Sequence, residues 1–192
     1  MQQLLELIFV LSRLFPPLAP ATPPGETLEQ YAFRLTQHDP YDQLILVAAK
    51  TWGLDPFLYK GLLYTESGFQ VRKVNHLGAA GIAQLTPGGR YSVHTVRCRR
   101  GDCRKFTRDD ALDPRKAIPA VAELLAYIQR TCGAYRMLGM YNTGRCGPRR
   151  QTFVNQVYRH VNRFRTFGGL PPASPPKPTP PRRLTRRRPS TS

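Results

Sequence analysis

The chain has 192 residues and a mass of 21.8 kDa, with 29 Lys and Arg against 12 Asp and Glu and a net charge of +17. That length holds one domain with tails and excludes a two-domain enzyme, and the charge points to a negative partner, either a polyanion or an anionic surface. No stretch reaches the roughly 18 to 20 uncharged apolar residues that a membrane span needs, so a soluble or peripheral protein is expected.

In chain order, residues 1–31 form an apolar N-terminal segment and a proline-rich linker. The apolar run is interrupted by Glu6 and Arg13, and no Lys or Arg precedes it, although Ala19-Pro20-Ala21 resembles a signal cleavage site. Two readings stay open: an imperfect export signal or anchor, and a short amphipathic helix on a proline linker. The domain proper is expected from residue 32 to residue 167, with helical periodicity throughout. Leu44, Val47, Ala48 and Thr51 recur at helical spacing and Gly53 follows as a stop. Asp55 and Pro56 predict the start of the next helix, the first as cap and the second where its missing N–H is harmless, and that helix runs to about Glu66. Gly78-Ala79-Ala80-Gly81 and Pro87-Gly88-Gly89 then make a small-residue region in which backbone can approach closely.

Residues 90–108 carry seven basic side chains and one acid around Cys98 and Cys103, and read as a solvated basic loop or an anion site. Pro119 is expected to open a helix with the apolar stripe Val121, Leu124, Leu125 and Ile128, ending near Cys132. Residues 135–142 and 152–164 complete the set, the last with Phe153, Val157, Val161 and Phe164 on one face. No segment alternates long enough to predict a strand, so a mainly α domain of about six helices is expected. From residue 168 onward the chain reads as a disordered basic tail. Residues 171–192 hold eight prolines, six basic residues and no acid, and the remainder of the chain still carries +11.

The four cysteines lack the C-x2-C spacing of zinc ribbons. Disulfides are the favoured reading, with four reduced thiols as the alternative. Three connectivities are open, and Cys98 with Cys103 and Cys132 with Cys146 are preferred because each pair brackets a turn containing glycine. Bridges of either kind imply an oxidising compartment.

Carboxylates are scarce, and between Asp55 and Asp102 the only one is Glu66. It continues the apolar stripe of Leu58 and Leu62 and sits at a helix C-terminal end, where low polarity and the helix dipole both disfavour ionisation. A carboxyl kept protonated near neutral pH suits a general acid acting on a glycosidic oxygen.

Three blocks then stand in order: Glu66-Ser67-Gly68-Phe69, Gly78-Ala79-Ala80-Gly81-Ile82-Ala83-Gln84 with Pro87, and Met140-Tyr141-Asn142-Thr143-Gly144. In order and spacing they resemble the soluble lytic transglycosylase (SLT) family, whose pattern is roughly E-S-x-F, G-A-x-G-L-M-Q-x-x-P and A-Y-N-A-G. Leu112-Asp113-Pro114 with Ile118, and Phe153 to Val157, resemble its flanking blocks, so the similarity spans about Leu44 to Phe164. The resemblance implies a single lysozyme-like (goose-type) helical domain that cleaves the β-1,4 bond between N-acetylmuramic acid and N-acetylglucosamine in peptidoglycan. It implies Glu66 as general acid and then base, closing a 1,6-anhydro ring on the muramyl residue without water. No metal and no organic cofactor are expected.

The same resemblance places Ser67, Gln84, Tyr141 and Asn142 at the substrate and gives Gly78 and Gly81 the shaping of the cleft. Some positions depart from the family pattern: Met140 and Thr143 stand for Ala, Ala83 for Met, Phe153 for Tyr and Arg149 for Glu. An approach by Asp109, Asp110 or Asp113 would reopen a hydrolase reading, since two-carboxylate glycosidases need a second acid about 5 to 9 Å away. Two alternatives therefore stand beside the transglycosylase: a related muramidase, and a non-catalytic basic protein holding cell-wall polymer or another polyanion. The expected partners are peptidoglycan strands, with anionic wall polymer or a membrane surface engaged by the basic tail. No specific nucleic acid is expected, and the protein is expected to be a monomer. The expected location is the periplasm, cell envelope or exterior, with delivery by a phage or secretion machine as a further route.

Overall fold

A helix begins where a side chain satisfies the free N–H groups of its first turn. The computed structural model describes residues 24–86, 92–146 and 151–177. Among them eight helices follow in order: α1 (Leu28–Leu35), α2 (Asp42–Trp52), α3 (Pro56–Ser67), α4 (Val93–Cys98), α5 (Arg108–Leu112), α6 (Pro114–Cys132), α7 (Ala134–Thr143) and α8 (Gln151–Phe167). Asp55 caps α3 as expected, accepting from the N–H groups of Phe57 and Leu58 at 2.8 and 3.3 Å. Thr27 and Gln30 form a reciprocal capping box at α1, Thr107 and Asp110 form another at α5, and Asp113 caps α6 ahead of Pro114. The mainly α expectation is met: among the described residues no strand forms, and Val74, Ala80 and Leu85 make only isolated bridges.

Two local expectations are corrected. In α2 the buried face is Asp42, Ile45, Leu46, Ala48 and Ala49, whereas Val47 is 53% exposed and Thr51 returns its hydroxyl to the Val47 carbonyl. Pro119 does not open α6 but lies inside it, because Asp113 and Pro114 supply the start one turn earlier. The carbonyl that Pro119 leaves without a donor belongs to Arg115, an exposed residue in the first turn. Contacts are also made by residues on either side of 32–167. Glu26 bonds to Arg34 and Lys50, and past α8 Leu170 is buried while Asn162 accepts from the Ala173 N–H at 2.7 Å. The expectations for residues 1–23 and 178–192, for Pro87 to Arg90 and for Arg149 fall outside the described residues.

Helix α3 is the central strut. It packs most extensively on α8, and Gly61 permits the approach: a Cβ there would sit 2.6 Å from Val161 Cγ2 and 3.2 Å from the Val157 carbonyl. On its other side the buried Tyr59 hydroxyl donates to the Ile118 carbonyl, tying α3 to α6. Phe57, Leu62 and Leu63 fill the space between. Burying each such side chain contributes about 1.5–3 kcal/mol, so the last turn of α3 hangs from a rigid rod.

Candidate active site

That last turn carries Glu66. The helix stops because Gly68 takes a left-handed conformation (φ 63°), its N–H bonding the Tyr64 carbonyl at 2.8 Å, and Phe69 follows, also left-handed (φ 65°). Two successive turns of that hand reverse the chain directly after the acid. Glu66 is half-buried, and its carboxyl makes no hydrogen bond among the described residues. Burial raises its pKa from 4.5 to about 7, with the Lys73 charge acting in the opposite direction.

The chain returns to Glu66 through residues 73–85. The Asn75 side chain accepts from the N–H groups of Leu77 and Ala79 at 2.9 and 3.0 Å, and Ala80 and Leu85 exchange both backbone hydrogen bonds at 2.9 Å. Gly81 (φ 78°) is the tight point: a Cβ there would lie 1.7 Å from the Ala111 carbonyl oxygen, so only glycine lets this turn pack on α5. Gly78 (φ 81°) has nothing within 4 Å of such a Cβ. The expected close approach therefore belongs to Gly81, and at Gly78 the backbone conformation alone favours glycine.

Gln84 is itself left-handed (φ 49°), an uncommon state for a side-chain-bearing residue. Its amide Nε2 donates to the carbonyls of Lys73 and Gly81, each at 3.1 Å. Ser67 is buried, and its hydroxyl donates to the Ile82 carbonyl at 2.7 Å, bracing the end of α3 against the glycine turn. From α7, Tyr141 donates to the Ala83 carbonyl at 2.7 Å. Burial raises the pKa of this phenol well above its usual value, and the charges of Glu66 and Tyr59 add to the effect, so it stays protonated. Asn142, the next residue, is exposed. The structure thus gathers Glu66, Ser67, Gly81, Gln84 and Tyr141 around one turn. Sequence reading missed Lys73, whose Nζ donates to the Glu66 backbone carbonyl at 2.8 Å; the signal available was a cation at i+7 from the acid.

Two of the three aspartates that might have supplied a second acid have other partners. Asp110 bonds to Thr107 and Lys116, which hold its carboxyl down at about pH 2, and Asp113 caps α6. Neither they nor Asp109 contributes to the upward shift of Glu66. Among the described residues no three His, Cys, Asp or Glu side chains gather as ligands for a metal.

With this geometry in place, the comparisons are direct. The Transglycosylase SLT domain family matches residues 43–157, more than half of the chain and the whole span from α2 into α8. The chain belongs to this family. No curated protein matches it. Among solved structures it is similar to the X-ray structure of an inactive glutamate-to-glutamine mutant of the lytic transglycosylase Slt from Pseudomonas aeruginosa, with a TM-score of 0.58 and 16% identity. That alignment covers 69% of this chain and 25% of the other, so the chain spans about a quarter of its neighbour's length, and the likeness is one of fold.

Within this SLT domain, residues 92–107 hold α4 and a crosslinked turn. Cys98 pairs with Cys103 and Cys132 with Cys146, the two preferred connections. Much of the basic charge here is used internally: Arg97 and Arg100 share Glu123 at 3.0 and 2.8 Å, and Arg104 pairs with Asp102. Arg100 also lies over Trp52 and Arg97 over Phe106. The segment is thus pinned to α6 through Glu123, while Arg99, Arg104 and Lys105 stay exposed as a solvated basic loop would have them.

Proposed function

We propose that the protein is a peptidoglycan lytic transglycosylase that cleaves the bond between N-acetylmuramic acid and N-acetylglucosamine with one residue, Glu66, as acid and then base. The observation that carries this reading is a half-buried carboxyl titrating at about 7, facing a protonated phenol, with no second carboxylate acting on it. Near neutral pH such a group holds its proton in a large fraction of molecules and is a competent base once the proton has left.

The steps balance without water. Glu66 gives its proton to the bridging oxygen as the bond from C1 of the muramyl ring breaks. The carboxylate so formed takes the proton of the C6 hydroxyl as its oxygen bonds to C1, which closes the anhydro ring and restores the acid. A hydrolase would need a second carboxylate to form a covalent intermediate or activate water; Asp110 and Asp113 are held elsewhere, and Asp109 does not act on the Glu66 carboxyl.

Gln84 and Ser67 fix the wall of the cleft, Tyr141 presents its phenolic oxygen beside the acid, and the exposed Asn142 offers an amide to an N-acetyl group. Membership of the SLT family and the two disulfides support a place of action outside the cytoplasm, where peptidoglycan lies and thiols are oxidised.

The test is mass spectrometry of purified peptidoglycan digested by the wild type and by Glu66→Gln. Anhydro products from the wild type, falling by about 10² to 10⁴-fold in the variant, are expected for loss of a general acid. Products heavier by one water would show a muramidase instead, and cleavage by Glu66→Gln at the wild-type rate would remove Glu66 from the chemistry.

A further inference from the structure

The contact that sequence reading missed makes Lys73 a hub. Its backbone carbonyl accepts from both the Gly81 N–H at 2.8 Å and the Gln84 amide at 3.1 Å, so its main chain is fixed by the glycine turn. Its side chain crosses to α3 and donates to the carbonyl of Glu66 itself at 2.8 Å. That carbonyl belongs to the last turn of α3, where acceptors lack helical partners and a cation is favoured by the helix dipole. One residue therefore joins the acid-bearing turn to the turn that Gln84, Ile82 and Ala83 build around it, through Ser67 and Tyr141 as well.

We propose that Lys73 is the positioning residue of the catalytic acid: it locks the end of α3 to the glycine turn and holds a positive charge toward Glu66 throughout the reaction. This rests on the assignment of Glu66 as acid and base. The charged and titratable groups acting on or felt from Glu66 among the described residues are Lys73 from the loop and Tyr141 from α7, and no charge from α2, α6 or α8 adds to them. Tyr141 stays neutral, so among the described residues the ammonium is the only group whose charge changes the balance between the two forms of the acid. It favours the carboxylate. That stabilises the species left after the first proton transfer, and it keeps the acid from holding its proton so tightly that transfer to the sugar fails.

The experiment is the pH dependence of kcat/KM on peptidoglycan for the full chain and for Lys73→Met, Lys73→Gln and Lys73→Arg. The reaction needs protonated Glu66, so kcat/KM falls as pH rises through the pKa of that group. Without the ammonium this alkaline limb is expected to move up by about half a pH unit, the size of a partly exposed charge pair. Lys73→Gln keeps a donor and loses the charge, so it should show the same displaced limb. Lys73→Arg keeps both and should restore the wild-type limb. At the optimum, Lys73→Met is expected to lose about tenfold in kcat/KM, as for a misplaced acid.

A carbon-13 titration of the labelled Glu66 carboxyl in wild type and Lys73→Met reads the same displacement without turnover. The inference is overturned if the Lys73→Met limb and titration coincide with wild type, or if Lys73→Arg is displaced as far as Lys73→Met. Failure of the underlying assignment looks different: Glu66→Gln would remain active whatever the Lys73 variants do.

Discussion

Helix α3 carries two ionisable side chains under opposite terms. Lys60, midway along it, is 4% exposed and fully provided for: Nζ lies 2.7 Å from a carboxylate oxygen of Asp39 and from one of Asp42, with the rings of Phe33, Phe69 and Phe164 around it at 4.7 to 5.9 Å. Asp42 in turn accepts the N–H groups of His38 and Asp39. Glu66, at the end of the same helix, has no hydrogen bond to its carboxyl among the described residues and one cation that reaches its backbone carbonyl instead. A buried ammonium paired with two carboxylates serves the fold, whereas a carboxyl left short of partners holds a proton it can transfer.

The sharpest way to break this contrast is to remove Lys60. Lys60→Met strands the 1%-exposed Asp42 carboxylate and should cost about 3–5 kcal/mol in urea unfolding, while kcat of the folded fraction stays near wild type. A fall in kcat without loss of stability would tie the cluster to catalysis and erase the distinction. Next in size, Gly81→Ala drives a methyl into the Ala111 carbonyl at a left-handed position. It should cost about 3 kcal/mol and lower activity as well, because the turn that holds Gln84 and Lys73 must shift; an active, fully stable variant would show that the turn has slack.

The smallest effect has the most telling sign. The native pKa of Glu66 is raised from 4.5 to about 7, so the folded state binds its proton more tightly, and stability falls as pH climbs from 4.5 through 7. Glu66→Gln, which cannot ionise, should match the wild type near pH 4 and be more stable by about 1–3 kcal/mol near pH 8. Thermal denaturation at the two pH values checks it, and equal midpoints at pH 8 would mean that the carboxyl is solvated after all.

Local chemistry made most of the fold legible. Asp55 and Pro56 announce α3 because a cap and a helix-compatible proline act within one turn, and the spaced apolar residues of α6 to α8 were read for the same reason. The failures have their own causes. Val47 and Thr51 match the helical period but lie on the outer face of α2, since which face is buried depends on Lys60 and Asp42 meeting across two helices. Pro119 misled because a proline marks a helix start only where no earlier cap competes, and Asp113 with Pro114 supplies one a turn before it.

At the site, Glu66, Gln84 and Tyr141 stood in blocks whose order resembles a family. The roles of their hydrogen-bonding groups were not readable, because Tyr141 and Ser67 bond to the carbonyls of Ala83 and Ile82, and a carbonyl leaves no mark in a sequence. Lys73 escaped for the same reason, as both ends of its bridge are backbone contacts.

The Cys132–Cys146 crosslink encloses α7, the helix that carries Tyr141. When that short helix frays, its two ends stay tethered, so the excursion is a brief breathing of a closed loop and the phenol returns to the same carbonyl. In hydrogen exchange, α7 amides would therefore report on the thiol chemistry of the surroundings. Protected while the link holds and quickly labelled once it is reduced, they make the readiness of the cleft a matter of which side of the cell's redox boundary the chain has reached.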